Sequence, residues 1–228
     1  MSLREPPARF ARIHSVAPSL LVIAKEPVPG RVKTRLTPPC TPQQAASLAA
    51  AALGDTLSAA LACRRAGRRV LVLDGEPGPW LPDGFEIVAQ RGEGLAERLG
   101  AAFEDAGGPA FLVGMDTPQV TPELLDAGLG AVARGHATFG PALDGGYWAI
   151  GLQRPDRAVF DGVPMSEGNT GAVQRARLAA LDIPTASLPP LRDIDTIDDA
   201  RAVAAEAPGG RLAAALEPIE RAFQEVAA

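Results

Sequence analysis

Apolar positions along this chain fall into short unbroken runs separated by longer stretches with helical spacing. Leu20-Leu21-Val22-Ile23-Ala24 is continuous and apolar, the pattern of a strand buried on both faces. Thr41-Pro42-Gln43-Gln44 then opens a helix: Thr41 is the N-cap, Pro42 the first helical residue, and Gln44 closes a capping box. The alanine-rich pattern runs to about Ala66, where Gly67 is the expected stop. Strands are predicted at Arg69–Asp74, Phe85–Ala89 and Ala110–Val113, with a Pro- and Gly-rich loop at Gly75–Gly84. Helices are predicted at Gly94–Ala106, with Leu95, Leu99 and Phe103 on one face, and from the Thr121-Pro122 start to about Arg134. Ala137–Phe139 and Tyr147–Leu152 read as strands flanking Pro141–Gly146. Beyond them come a helix at Gly168–Ala180, a strand at Ile183–Leu188, a helix capped by Thr196 and an amphipathic helix at Arg211–Val226.

Alternation of strands and helices predicts an α/β fold: one three-layer α/β/α, Rossmann-like domain with a mainly parallel mixed sheet. No internal repeat or linker divides residues 19–228, and the length of 228 residues suits one domain. Residues 1–18 carry Arg4, Arg9 and Arg12 without an apolar core, so they read as a flexible arm rather than a signal peptide. No apolar run approaches the length of about 20 residues that a membrane span needs. The expectation is a cytoplasmic protein with no membrane partner. Cys40 and Cys63 have neither a disulfide framework nor a zinc-site spacing.

Charge changes the picture at one place. The net charge is −5, which argues against a nucleic-acid partner. Yet only two of the 22 basic residues are lysines, Lys25 and Lys33, and both lie in Lys25-Glu26-Pro27-Val28-Pro29-Gly30-Arg31-Val32-Lys33-Thr34-Arg35-Leu36. Lysine is a compact point charge suited to a single phosphate oxygen. A proline-stiffened cationic loop after the first strand stands where open α/β sheets bind ligands. A P-loop would need Gly where Val32 precedes Lys33-Thr34, and a dinucleotide fingerprint begun at Gly92 and Gly94 fails at Glu97. A small anionic ligand is the expected partner.

Three acidic segments complete the candidate chemistry. Asp116 follows a buried strand and Gly114, where a carboxylate could hold a divalent metal on nucleotide phosphates; Asp-Thr-Pro is equally a turn sequence. Asp144-Gly145-Gly146-Tyr147-Trp148 combines a hairpin signal with glycines that permit close approach. Asp193 and Asp195 stand two apart before a helix and could supply a second metal ligand. His14 and His136 have no assigned role.

Lys-x-Pro-x-Pro-Gly-x-Val-Lys-Thr-Arg-Leu at 25–36, Gly-Met-Asp-Thr-Pro at 114–118, Gly-Pro-Ala-Leu-Asp-Gly-Gly-Tyr at 140–147 and Arg-Asp-Ile-Asp-Thr at 192–196 occur in that order. Together they resemble the DUF2064 family, often labelled radical-SAM/selenodomain-associated transferase 1 or glycosyltransferase, over roughly residues 19 to 205. The Lys-Thr-Arg-Leu segment also resembles the 2-phospholactate and phosphoenolpyruvate guanylyltransferases. All belong to the nucleotide-diphospho-sugar transferase superfamily, which implies the GT-A fold. Met165-Ser166 departs from the more usual Trp-Ser at that place.

The resemblance implies that Lys25, Pro29, Gly30, Lys33, Thr34 and Arg35 bind the nucleotide phosphates. Lys33 and Asp116 would be catalytic, and Asp116 with Asp195 would hold Mg²⁺ or Mn²⁺. Asp144, Gly145, Gly146 and Tyr147 would face the acceptor or sugar. The implied activity is glycosyl transfer from a nucleotide-sugar to a small-molecule acceptor. Nucleotidyl transfer of guanylyl or cytidylyl type, releasing pyrophosphate, is the alternative, and a non-catalytic nucleotide-binding protein is a further one.

Overall fold

The computed structural model describes residues 17–227. Apart from Ala17 and Pro18, the arm expected at 1–18 lies outside the described residues, as does His14. Seven strands form one sheet: β1 (Ser19–Lys25), β2 (Arg69–Asp74), β3 (Glu86–Ala89), β4 (Ala110–Gly114), β5 (Ala137–Pro141), β6 (Tyr147–Leu152) and β7 (Thr185–Ser187). Their spatial order is β3-β2-β1-β4-β6-β5-β7. β3, β2, β1 and β4 run parallel, whereas β6 is antiparallel to both β4 and β5. Among the described residues there are six helices: α1 (Pro42–Ala62), α2 (Leu95–Ala106), α3 (Pro122–Ala133), α4 (Thr170–Ala180), α5 (Ile197–Glu206) and α6 (Arg211–Ala227).

Strand periodicity sorts side chains between the two faces. Leu20, Val22 and Ala24 of β1 join Leu53 and Leu57 of α1 and Leu125 and Leu129 of α3 in one core. Leu21 points the other way, into a core with Leu99 and Phe103 of α2 and Leu178 of α4. A third cluster lies outside α1, where Leu48 and Ala52 meet Val203 of α5 and Leu212, Leu216 and Ile219 of α6. α1 is therefore covered on both sides, which explains why it is apolar nearly all round. By length and composition it could cross a membrane, contrary to the sequence expectation. In this fold it is a core helix between the sheet and α5–α6.

The start of α1 is as expected, with the Thr41–Gln44 capping box formed in both directions. Its end is not. The helix stops at Ala62 rather than near Ala66, because Asp126 on α3 captures the chain there. The Asp126 carboxylate accepts from the backbone N–H of Arg64 and Arg65 and from the Cys63 thiol, at 3.0, 2.8 and 2.9 Å. Those groups are then unavailable to continue the helix.

Candidate active-site cleft

The carboxyl ends of β1 and β4 open into a cleft of about 850 Å³. The strand order changes direction at β1 and β4, the position where open α/β sheets leave a crevice for a ligand.

Beyond Lys25 the chain turns at Gly30, where φ is +78° and the Arg31 N–H donates to the Val28 carbonyl. It then folds inward because two of its side chains are anchored. Val32 is buried in the core beneath the sheet, and Leu36 in the cluster outside α1. Lys33 between them takes up the left-handed region, with φ +48°, at the start of a short 3-10 turn over Thr34–Leu36. Its side chain is only 8% exposed. The Nζ lies 2.8 Å from Asp116 Oδ1 and 3.9 Å from Asp195 Oδ1, and it donates to the Ile194 carbonyl. Arg35 pairs with Asp195 Oδ2 at 2.5 Å. Lys25, Lys33, Thr34 and Arg35 all line the cleft, and so does Arg31. Pro29 and Gly30 do not: Gly30 borders a separate small depression on the outer side of the loop. The pair makes the turn that returns the chain to the cleft.

Facing the loop are carboxylates from three segments. Asp116 comes directly after β4, next to Met115, whose sulfur accepts from the Lys25 N–H. The Asp116 carbonyl accepts from the Ile194 N–H at 3.0 Å, and that bond ties residues 193–195 to the end of β4. Ile194 is buried, so the aspartates on either side of it turn out toward the cleft. The β5–β6 turn reaches the same place through a bridge between Ala142 and Leu191. The Gly146 N–H holds Asp144 Oδ1 at 2.7 Å. Asp144, Asp193 and Asp195 thereby present oxygens that all lie within 4.8 Å of one another.

This convergence leaves an electrostatic mark. Burial, reinforced by the charges of Asp144 and Asp195, pushes the Asp193 carboxyl up to about 6. Asp195 pairs with Arg35, but among the described residues neither Asp144 nor Asp193 has a cationic partner, so the trio keeps net negative charge that a further cation can neutralise. All-oxygen, carboxylate-rich donors suit a hard divalent cation such as Mg²⁺ or Mn²⁺, so the residues present fit the group. The grouping differs from the expected pair. Asp195 belongs to it, but it is joined by Asp193 and Asp144, while Asp116 already has a cationic partner in Lys33.

The far wall holds Tyr147, Met165, Ser166, Glu167 and Thr170. Tyr147 borders the cleft, but its hydroxyl faces Gln174 Oε1 at 3.3 Å, and burial raises its pKa well above the ordinary phenol value. Gly146 lines the cleft, whereas Gly145 admits the chain's own backbone. The Gly145 carbonyl accepts from the Gly171 N–H, and a β-carbon on Gly145 would lie 1.9 Å from the Gly168 oxygen. On the α2 side, Arg98 is held by Asp74 at 2.8 Å and by Gln90, whose amide also donates to the Ala24 and Val72 carbonyls. No sequence motif marked Gln90 or Arg98. Their only signal is position, since Gln90 follows β3 directly.

The sheet order and this cleft define the nucleotide-diphospho-sugar transferase fold. Residues 42–167, more than half of the chain, match DUF2064, described as uncharacterized proteins conserved in bacteria. The chain belongs to this family. The match leaves out the 25–36 loop and the 192–196 segment. No curated protein matches the chain. Among solved structures, it is similar to one from Desulfovibrio desulfuricans G20 assigned as a nucleotide-diphospho-sugar transferase. The two share 29% identity and a TM-score of 0.72, over 80% of this chain and 84% of that one. Rv0371c from Mycobacterium tuberculosis H37Rv is 20% identical with a TM-score of 0.51, over 82% of this chain and 98% of that one.

Proposed function

We propose that this protein is a metal-dependent transferase that moves a glycosyl group from a nucleotide-sugar to a small-molecule acceptor. One observation carries the reading: the cations of the 25–35 loop and the carboxylates of Asp116, Asp144, Asp193 and Asp195 face a single open cleft. The likeness to the Desulfovibrio protein supports the same class.

Each part of the cleft has a distinct task. Among the described residues Lys25 and Arg31 make no ion pair, so their charge is available to the two phosphates of a donor. Lys33 is the third cation of that set once it turns from Asp116. The carboxylates of Asp144, Asp193 and Asp195, with Asp116, hold the divalent ion. A divalent ion bound there would supply positive charge against the charge developing on the leaving phosphate. Tyr147, Met165 and Glu167 form the wall against which an acceptor is oriented. Met165 makes this wall more adaptable than tryptophan would, because its unbranched side chain rearranges easily.

Product analysis tests the reading. With Mn²⁺ and a panel of nucleotide-sugars, we expect release of nucleoside diphosphate, slow alone and faster with the right acceptor. The cationic loop also favours a second reading, nucleotidyl transfer. Acceptor-dependent pyrophosphate from a nucleoside triphosphate, with every nucleotide-sugar inert, would establish that reading instead. Tight binding of nucleotide-sugars without turnover would make the protein a non-catalytic nucleotide binder.

A further inference from the structure

Lys33 is held closely by its surroundings. It sits between Asp116 and Asp195 on a side chain only 8% exposed, and its third contact is the Ile194 carbonyl. Three oxygens from two segments therefore converge on one ammonium. Its backbone is held in the left-handed region between the buried anchors Val32 and Leu36. An ammonium 2.8 Å from Asp116 lies in the space a cation bound to that carboxylate would need.

We infer that Lys33 is a built-in counter-ion that competes with the divalent metal for Asp116 and Asp195. Metal enters the Asp116 position only as the ammonium leaves it. The lysine has one obvious destination, since Lys25 and Arg31 of the same loop line the cleft with no carboxylate partner among the described residues. A phosphate drawn to those two cations gives Lys33 a new anion. Nucleotide phosphate and metal are then coupled through one side chain, and each favours the other by the same factor. Without ligand, the lysine keeps the facing carboxylates neutralised and the cleft assembled.

This inference rests on the proposed role of Asp116 as a metal ligand, and a binding experiment separates the two. Mn²⁺ is titrated without nucleotide into wild type and Lys33→Met, with free Mn²⁺ followed by electron paramagnetic resonance. Lys33→Met should bind Mn²⁺ about ten- to hundredfold more tightly, the range spanned by a charged hydrogen bond to the same carboxylate. Equal affinity in the two proteins would overturn the competition and leave the metal site standing. Failure of both to bind millimolar Mn²⁺ would overturn the site and the competition together. A second measurement keeps the test open should Lys33→Met fold poorly. The chain has two lysines, so lysine-selective ¹³C labelling gives two side-chain signals, assigned with Lys25→Arg. On titration with Mg²⁺ the Lys33 signal should move and the Lys25 signal stay. A Lys33 signal that holds still while the site saturates would contradict the inference.

Discussion

A β-carbon at Gly145 would stand 1.9 Å from the Gly168 carbonyl oxygen, and the residue's φ is +93°. Both constraints require glycine, one through space and one through backbone conformation. Gly145→Ala should therefore destabilise the protein by about 1–3 kcal/mol or more, as overpacking at a rigid contact does. Denaturant unfolding would measure it as a lower midpoint; an unchanged midpoint would mean that the β5–β6 turn does not lean on residues 168–171. The residue types at this turn were legible in the chain, since Asp-Gly-Gly announces a tight approach. What approaches was not legible, because Gly168 is brought there by tertiary structure. Lys33 repeats the pattern. Its lysine identity singled it out, yet nothing local shows that its ammonium is turned inward to Asp116. Asp193 and Asp144 became neighbours only when the Ala142–Leu191 bridge formed.

At the scale of elements, local chemistry decides the starts of α1 and α5, and distant chemistry decides the stop of α1. Thr41 and Thr196 cap α1 and α5 through bonds three residues away, so both starts are readable. The stop of α1 depends on Asp126, separated by 61 residues from Arg65, and no periodicity can reveal it. Burial opposes the charge of Asp126, but the Cys63 thiol and the N–H groups of Arg65 and Arg64 outweigh it and hold the carboxyl below its usual value. The same contact acts in reverse on Cys63. Burial and the Asp126 hydrogen bond push its thiol up to about 11. Asp126→Ala removes the acceptor of two exposed backbone donors, which water then satisfies, so a loss of about 0.5–1.5 kcal/mol is expected at neutral pH. Because the folded value is depressed, this stabilisation is complete above the unfolded pKa of about 3.9 and fades as pH falls through the folded value. Melting curves of wild type and Asp126→Ala should thus differ at pH 7 and converge in strong acid. A gap that persists below both values would show that the carboxylate charge is not what holds the turn.

For the whole molecule, three layers and the cluster outside α1 bring remote segments to one cleft. The parallel half of the sheet was legible because its strands are unbroken apolar runs between helical patterns. The antiparallel insertion of β6 between β4 and β5 was less so, since a hairpin signal says nothing about which strand it will join. On the proposed function, loop 25–36, Asp116, the β5–β6 turn and residues 193–195 would act as one site, since all of them border one cleft. The most direct check is thermal unfolding with nucleoside diphosphates and nucleotide-sugars, each with Mn²⁺ and again with a chelator. A ligand at 100 times its dissociation constant stabilises the fold by about 2.7 kcal/mol, which for a chain of this size raises the melting temperature by several degrees. We predict such a rise for at least one nucleotide with Mn²⁺, lost with chelator and lost in Asp195→Asn. No rise with any nucleotide, or a rise indifferent to both chelator and Asp195→Asn, would contradict the metal-dependent nucleotide site.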